Sequence, residues 1–283
     1  MRFWLNGEWR DAKAAISIDD RGFLLGDGAF ETILIRNGAP AFLEAHLARL
    51  RTALSELAIK AALPADIGKV IRELAAQNGL SDKDASLRCT VTRGPGPRGL
   101  ALPREGAATI LMTVSPASHQ TDKVCRLVIS RRRRAMLGVG VRHKTLAYLD
   151  NILARNEAGA AGADDALMLN PAGRVACATA ANVFAVLPDG IIATPPESDG
   201  ALPGIVRGVL LARARNKGLI VEERVLARHD IEGATLVLTN SLIGVAPAQL
   251  EGQSAPPREM FNRLRSCYEE ALAEDLQERA RAS

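Results

Sequence analysis

Four cysteines stand at positions 89, 125, 177 and 267, too scattered to act together as ligands. No Cys-x-x-Cys pair and no Cys/His spacing of the zinc-binding kind occurs, so no metal site is expected. Separated free thiols fit a reducing cytoplasm. No apolar run is long enough to cross a membrane. The first residues, Met1-Arg-Phe-Trp-Leu-Asn-Gly7, are too polar and too soon broken for a signal peptide. An excess of one charge is missing too: the formal net charge is +4 over 283 residues. Arg131 to Arg134 is the one dense basic run. It lacks the aromatic interleaving and the finger or helix-turn-helix spacing of a nucleic-acid surface, so it reads as a solvated face or an anion-attracting rim. These absences exclude nucleic acid, membrane and metal as expected partners and leave a cytoplasmic globular protein.

Hydrophobic residues make up 47% of the chain, and the length suits one large domain or two smaller ones. Phe3 to Trp9 reads as two strands about Asn6-Gly7, and Ile33 to Phe42 as a hairpin about Asn37-Gly38. Leu43, Leu47, Leu50, Leu54 and Leu57 form one stripe of a helix. Ile67 to Asn78 is a second helix, ended by Gly79. Strands are expected at 85–93 and 108–114. The polar stretch 116–122 is the best linker signal, which places a domain at 1–115 and another at 123–283. In the latter, strands are expected at 125–130 and from Asp165 to Ala176, a helix from Val206 to Lys217, a buried strand from Leu236, and a charged amphipathic helix from Arg258 to Arg281.

Between Val141 and Glu157 there is no Gly or Pro, and Leu146, Leu149, Ile152 and Leu153 recur at helical spacing. The stretch reads as a strand end turning into a helix anchored by these leucines, with Lys144 at the junction. A lysine amine that is desolvated in a cleft loses part of its preference for charge and becomes a nucleophile for a carbonyl. On spacing alone, a lysine beside a helix is an ordinary solvated group.

Several separated motifs change that reading. Lys144-Thr-Leu-Ala-Tyr-Leu-Asp-Asn-Ile-Leu-Ala-Arg-Asn-Glu-Ala158, followed by Gly162-Ala-Asp-Asp-Ala-Leu-Met-Leu-Asn170, resembles the lysine segment of the class IV (fold-type IV) pyridoxal-phosphate (PLP) enzymes. So do Asp20-Arg-Gly-Phe-Leu-Leu-Gly-Asp-Gly-Ala-Phe-Glu-Thr32, His46-Leu-Ala-Arg-Leu50, Thr194-Pro-Pro196 with Leu202-Pro-Gly-Ile-Val-Arg207, and Thr239-Asn-Ser-Leu-Ile-Gly-Val-Ala-Pro247. The resemblance covers nearly the whole chain. It implies a two-domain α/β fold with a small N-terminal α/β domain, a larger barrel-like C-terminal domain, PLP between them, and a homodimer acting on a small amino substrate.

Residue by residue, the resemblance makes Lys144 the covalent holder of PLP and, once released, the general base. Arg49 would bind the phosphate through its planar fork; the alternative is a salt bridge with Glu44 or Glu56. His46 is assigned no chemistry. Ile205 and Val206 would give main-chain contacts to the phosphate at a helix start. The family's threonine is Val206 here, so only the backbone N–H can serve. Leu202 would pack on the ring, and Thr239, or Ser241 with the Leu242 amide, would make the second phosphate contact. Tyr148, one helical turn from Lys144, would face the ring hydroxyl or else sit in the core. Glu31 and Thr32 are possible wall residues. Arg93 and Arg98 would meet a substrate carboxylate or remain solvated.

One position departs from the family. In Gly173-Arg-Val-Ala-Cys-Ala-Thr-Ala-Ala-Asn-Val-Phe184, Cys177 stands where a glutamate normally pairs with the pyridine nitrogen. A thiol offers a weak hydrogen bond and no reliable charge. Another acid could supply the charge, the enzyme could work with a weaker electron sink, or the chain could be an impaired PLP-binding homologue. The wording from Thr239 to Pro247 resembles the 4-amino-4-deoxychorismate lyases, which release pyruvate to give 4-aminobenzoate on the folate route. The alternative is an aminotransferase for D- or branched-chain amino acids with a 2-oxo acid acceptor.

Overall fold

The structure is a computed structural model, and it describes residues 1–283 apart from 12, 14, 104–105, 118–121, 254–257 and 283. Contacts divide the chain into two units. One comprises Met1–Ser118, His143–Ala147 and Asp275–Ser283; the other comprises His119–Arg142 and Tyr148–Glu274. The expected linker at 116–122 lies mostly outside the described residues. The segment bearing Lys144 and the end of the tail, both assigned to 123–283 on sequence, group with the first unit.

The first unit is built on a six-stranded antiparallel sheet in the order β2-β1-β6-β5-β3-β4. Its strands are β1 (Arg2–Leu5), β2 (Glu8–Asp11), β3 (Gly28–Arg36), β4 (Ala39–Pro40), β5 (Ala85–Thr92) and β6 (Thr109–Pro116). Asn6 and Gly7 have φ of 49° and 95°, and Asn37 and Gly38 have 50° and 76°. Both Asn-Gly pairs thus make the left-handed turns that match strand twist. A short helix, α1 (Arg21–Leu25), precedes β3. The helices α2 (Leu43–Glu56) and α3 (Ile67–Gln77) follow the hairpin. The α2 stripe is buried at Leu43, Leu47, Leu50 and Leu54, packed with Ile33, Ile35, Ile71, Leu74, Leu87 and Met112. The Phe42 amide, at the left-handed start of α2, donates to the Asp275 carboxylate at 2.7 Å.

The second unit carries an eight-stranded mixed sheet, curled as a half-barrel, in the order β12-β11-β10-β13-β14-β7-β8-β9. These strands are β7 (Cys125–Arg133), β8 (Asp165–Leu169), β9 (Val175–Ala178), β10 (Asn182–Val186), β11 (Ile192–Thr194), β12 (Val221–Glu223), β13 (Thr235–Asn240) and β14 (Gly244–Leu250). Helices α4 (Val139–Arg142), α5 (Leu149–Ala160), α6 (Ile205–Arg213) and α7 (Arg258–Ala282) complete the chain. Inside the curl pack Leu127, Leu167, Val183, Leu236, Leu238 and Ala248. No described helix is long and apolar enough to cross a membrane.

One expectation is reversed here. α5 begins at Leu149, five residues after Lys144, and buries Asn151, Ala154 and Ala158. Leu149 and Ile152 are 67% and 61% exposed, so the leucine face does not anchor the helix. Small residues bring α5 close to β7 and β8, where Ala166 and Met168 receive Ala154 and Ala158.

Gly28 shows how tightly the first sheet is closed. A Cβ there would collide with the Val91 carbonyl oxygen and lie 2.9 Å from Leu146 Cδ1. Gly28→Ala is therefore expected to cost about 1–3 kcal/mol through overpacking. A lower urea midpoint at unchanged m-value would report it; an unaltered midpoint would mean the strands part freely.

Candidate active site

Residues 143–147 form an extended stretch laid against the start of β3. The Phe30 N–H donates to the Lys144 carbonyl at 2.9 Å, the Leu146 N–H donates to the Gly28 carbonyl at 3.0 Å, and Ala29 bridges Thr145. Extended backbone sends alternate side chains to opposite sides. His143 and Thr145 are buried, while Lys144 and Leu146 are half-buried. The Lys144 amine lies 4.3 Å over the Phe30 ring centre, and the Arg88 guanidinium lies 3.8 Å from the same centre.

The same alternation separates Glu31 from Thr32. Thr32 shares the Phe30 side of β3, whereas Glu31 turns under α2 and is 1% exposed. They cannot form one wall. Arg49 grips Glu31 in a two-pronged pair, Nε to Oε1 at 2.8 Å and Nη2 to Oε2 at 2.7 Å, and His46 Nδ1 meets Oε2 at 2.7 Å. Arg49 thus pairs with Glu31, from another element. His46, given no chemistry on sequence, completes the cluster. Burial works to raise the Glu31 carboxyl, but the Arg49 and His46 hydrogen bonds overcome it and hold the group at about 2, against an ordinary 4.5. Burial also holds the His46 imidazole below its usual value, against the pull of Glu31.

Arg93 is committed elsewhere. It forks onto Asp27 at 2.8 and 3.0 Å and donates to the Leu57 and Ala58 carbonyls at 2.7 and 2.9 Å. It clamps the loop after α2 and does not serve as a substrate trap. Arg98 is exposed on the Gly/Pro loop. The sequence reading missed Asp20 and Arg21. Buried Asp20 accepts from the Gly22 and Phe23 amides and the Thr92 and Thr109 hydroxyls; Arg21 joins Asp27 to the Gly99 and Ala101 carbonyls. The signal was present in the Asp20-Arg-Gly22 motif, whose polar residues brace a loop.

In the second unit, α6 starts at Gly204 with no side-chain cap. Its first-turn N–H groups, from Ile205 and Val206 onward, have no partner within the helix. Asn182 faces Thr239 across β10 and β13, and its amide donates to the Leu202 carbonyl at 2.8 Å. A Cβ on Gly204 would strike the Asn182 side-chain oxygen. Thr239 is fully buried, and its hydroxyl has no hydrogen-bond partner. An uncapped helix start beside a tethered loop, with an unsatisfied buried hydroxyl in the same sheet, fits a phosphate group. The Leu242 amide does not join it, because Asn240 Oδ1 accepts from the Leu242 and Ile243 N–H groups at 2.9 and 2.8 Å. Ser241 lies in that same turn. Tyr148 is the N-cap of α5, its carbonyl accepting from the Ile152 N–H at 3.0 Å. Residues 143–147 are not helical, so the helix that Tyr148 caps does not include Lys144.

Cys177 sits on β9 opposite Met168 and is buried. Burial pushes its thiol up; the Arg134 charge works against this and Asp165 adds to it. Asp165 is already engaged by Arg155 at 2.9 Å and by the Thr179 hydroxyl at 2.5 Å. Arg134 donates to Asn151 Oδ1 and the Gly200 carbonyl, both at 3.2 Å.

The Glu31 cluster has an acid signature. A carboxyl lowered by folding contributes stability above its unfolded value and loses it as the pH falls through the folded value. The window here runs from 4.5 down to about 2, and the amount is on the order of 3 kcal/mol. Urea unfolding of the wild type should weaken across that window. Glu31→Gln should be less stable at pH 7 and show a flatter acid limb; parallel limbs would contradict the assignment.

Residues 28–250 match the sequence model of the family described as amino-transferase class IV. A Methanocaldococcus jannaschii protein provisionally named a branched-chain-amino-acid aminotransferase is 33% identical over 89% of each chain. The crystal structure of 4-amino-4-deoxychorismate lyase from Pseudomonas aeruginosa is 32% identical, covers 97% of this chain and 99% of its own, and superposes with a TM-score of 0.79. A PLP-bound hypothetical aminotransferase from Mycobacterium tuberculosis shares the fold at 24% identity and a TM-score of 0.82, covering 97% of this chain and all of its own. Enzymes of this family use PLP. The α/β fold, the extent of the match and the relatives agree: the chain belongs to the class IV aminotransferase family of PLP-dependent enzymes.

Proposed function

We propose that the chain is a 4-amino-4-deoxychorismate lyase, yielding 4-aminobenzoate and pyruvate. The observation that carries this reading is Cys177. Its buried thiol stays neutral, and the nearby Asp165 is already paired. PLP supplies an electron sink when bound, and a neutral thiol leaves that sink weaker than a carboxylate does. A reaction whose product is aromatic tolerates a weaker sink, because aromatisation drives the elimination. The similarity to the Pseudomonas lyase over nearly the full length supports the same reading.

Lys144 Nζ would hold the cofactor through its aldehyde, and the same amine would serve as the general base for the proton at the carbon bearing the substrate amine. The Ile205 and Val206 N–H groups and the Thr239 hydroxyl would hold the phosphate. Arg49, held by Glu31 and His46, would offer a fixed guanidinium to an anion. Thr32, on the Phe30 side of β3, lines the substrate side. The exposed Phe23, Leu24, Leu25, Leu100 and Leu102 form the apolar face of a homodimer.

An aminotransferase for branched-chain or D-amino acids is the second reading, favoured by the Methanocaldococcus relative.

Lys144→Ala should abolish the absorbance band of covalently held PLP; a surviving band overturns the central assignment. Titrating the wild type with D-alanine, D-glutamate and L-leucine separates the two readings. A lyase leaves the band unchanged with all three and releases pyruvate from aminodeoxychorismate, whereas discharge of the band by any of them establishes transamination. Cys177→Glu should raise whatever half-transamination the wild type shows, by about tenfold for each 1.4 kcal/mol of added stabilisation. A rate at or below wild type would mean that the pocket is built around the thiol.

A further inference from the structure

We infer that His143 is a positioning residue: its hydrogen bond to Glu56 ties the lysine segment to the end of α2 and sets how the Lys144 amine is presented over Phe30. This rests on the reading of Lys144 as the catalytic amine.

The leucine stripe of α2 is spent on the core, but His46, Arg49 and Glu56 recur at three- and seven-residue steps and so lie along one side of the helix. His46 and Arg49 hold Glu31. Glu56 Oε2 meets His143 Nε2 at 2.5 Å. Glu31 is the chain neighbour of Phe30, and His143 is the chain neighbour of Lys144. Phe30 and Lys144 are themselves joined by a backbone hydrogen bond of 2.9 Å. One helix therefore grips both strands on either side of the amine–ring contact, through side chains that alternate away from it.

The His143 side chain is 7% exposed, and that of Glu56 is 34% exposed. A buried imidazole needs a partner, and losing it strands a polar group in the interior. Thr145, the next residue on the same side, has a buried hydroxyl with no partner. On that side of residues 143–147, the His143–Glu56 bond is thus the polar tether. The Phe30–Lys144 and Leu146–Gly28 hydrogen bonds run backbone to backbone along β3. These fix its register and leave its rotation about its own axis to the side chains. Rotation of an extended segment swings Lys144 away from Phe30 without breaking the ladder.

The test uses full-length protein loaded with PLP. His143→Phe keeps a ring without the bond, Glu56→Ala removes the partner, and His143→Gln retains a donor at similar reach. His143→Phe and Glu56→Ala should each shift the pH midpoint of the bound-cofactor band. Each should also slow discharge of the band by an amine substrate about ten- to a hundredfold, the scale of a small misplacement of a reacting group, with little change in KM. The double variant should lose no more than either single one, and His143→Gln should recover most of the rate. A lowered Tm with unchanged midpoint and unchanged rate per bound cofactor would reduce the pair to a structural contact and overturn the proposal, as would additive losses. If the wild type shows no cofactor band, the functional reading fails first, and cofactor-free protein then decides the positioning claim. Reductive methylation of Lys144, followed by mass spectrometry against the other lysines, should change severalfold in His143→Phe; an unchanged rate overturns it.

Discussion

One backbone hydrogen bond, from the Phe30 N–H to the Lys144 carbonyl, sets the geometry of the lysine-bearing part of the molecule. It fixes the register between β3 and residues 143–147, and register in extended chains decides which face every side chain takes. With that bond in place, Lys144 and Phe30 fall together on one face, while His143 and Glu31 fall on the faces turned toward α2. A slip of one residue would bury the amine and expose the imidazole. Gly28 is part of the same constraint, since a side chain there would press against both β5 and Leu146.

Polar cost explains why α2 carries charged residues on a helix that is otherwise a core element. Glu31 is a carboxylate in the interior, and an unpaired charge there is expensive. The two-pronged Arg49 contact and the His46 hydrogen bond satisfy its oxygens, so the acid stays ionised despite burial. The result is a fixed guanidinium. Its position is set by the interior of its own unit.

Local chemistry was legible in the sequence where one residue dictates one backbone state. The Asn-Gly turns, the α2 stripe and the strands β5, β6 and β7 followed from φ preferences and periodicity, whereas β10, β11 and β12 carried no strand signal. Long-range pairing was not legible. Nothing near Arg49 in the chain points to Glu31, 18 positions away, and nothing near Arg93 points to Asp27, 66 positions away. Periodicity also misled at α5. Leu149 and Ile152 do share a helix face, but spacing shows only that a face exists, and Ala154 and Ala158 occupy the buried one. Small residues permit closer approach to a sheet than leucines do, so packing chose the alanine face. Motifs located the lysine segment and the α6 start. They did not reveal that the Leu242 amide is consumed by Asn240, because an Asx turn competes with any external acceptor.

Cys177 shows how a single neutral side chain changes the demands on its surroundings. A buried carboxylate there would need a charged or hydrogen-bonding partner, and Arg134, whose charge is felt at Cys177, would be drawn to it. With a thiol in that place, Arg134 instead spends its donors on the Asn151 side chain and the Gly200 carbonyl. Asn151 in turn donates to the Thr179 carbonyl, two residues beyond Cys177. The guanidinium has thus become a brace between α5, the turn after β9 and the loop before α6. Restoring an acid at position 177 would set that brace in competition with a new ion pair. The electronic gain of a carboxylate would then come with a rearranged hydrogen-bond network, so a chain that has settled on this brace is best suited to chemistry that does not need the acid.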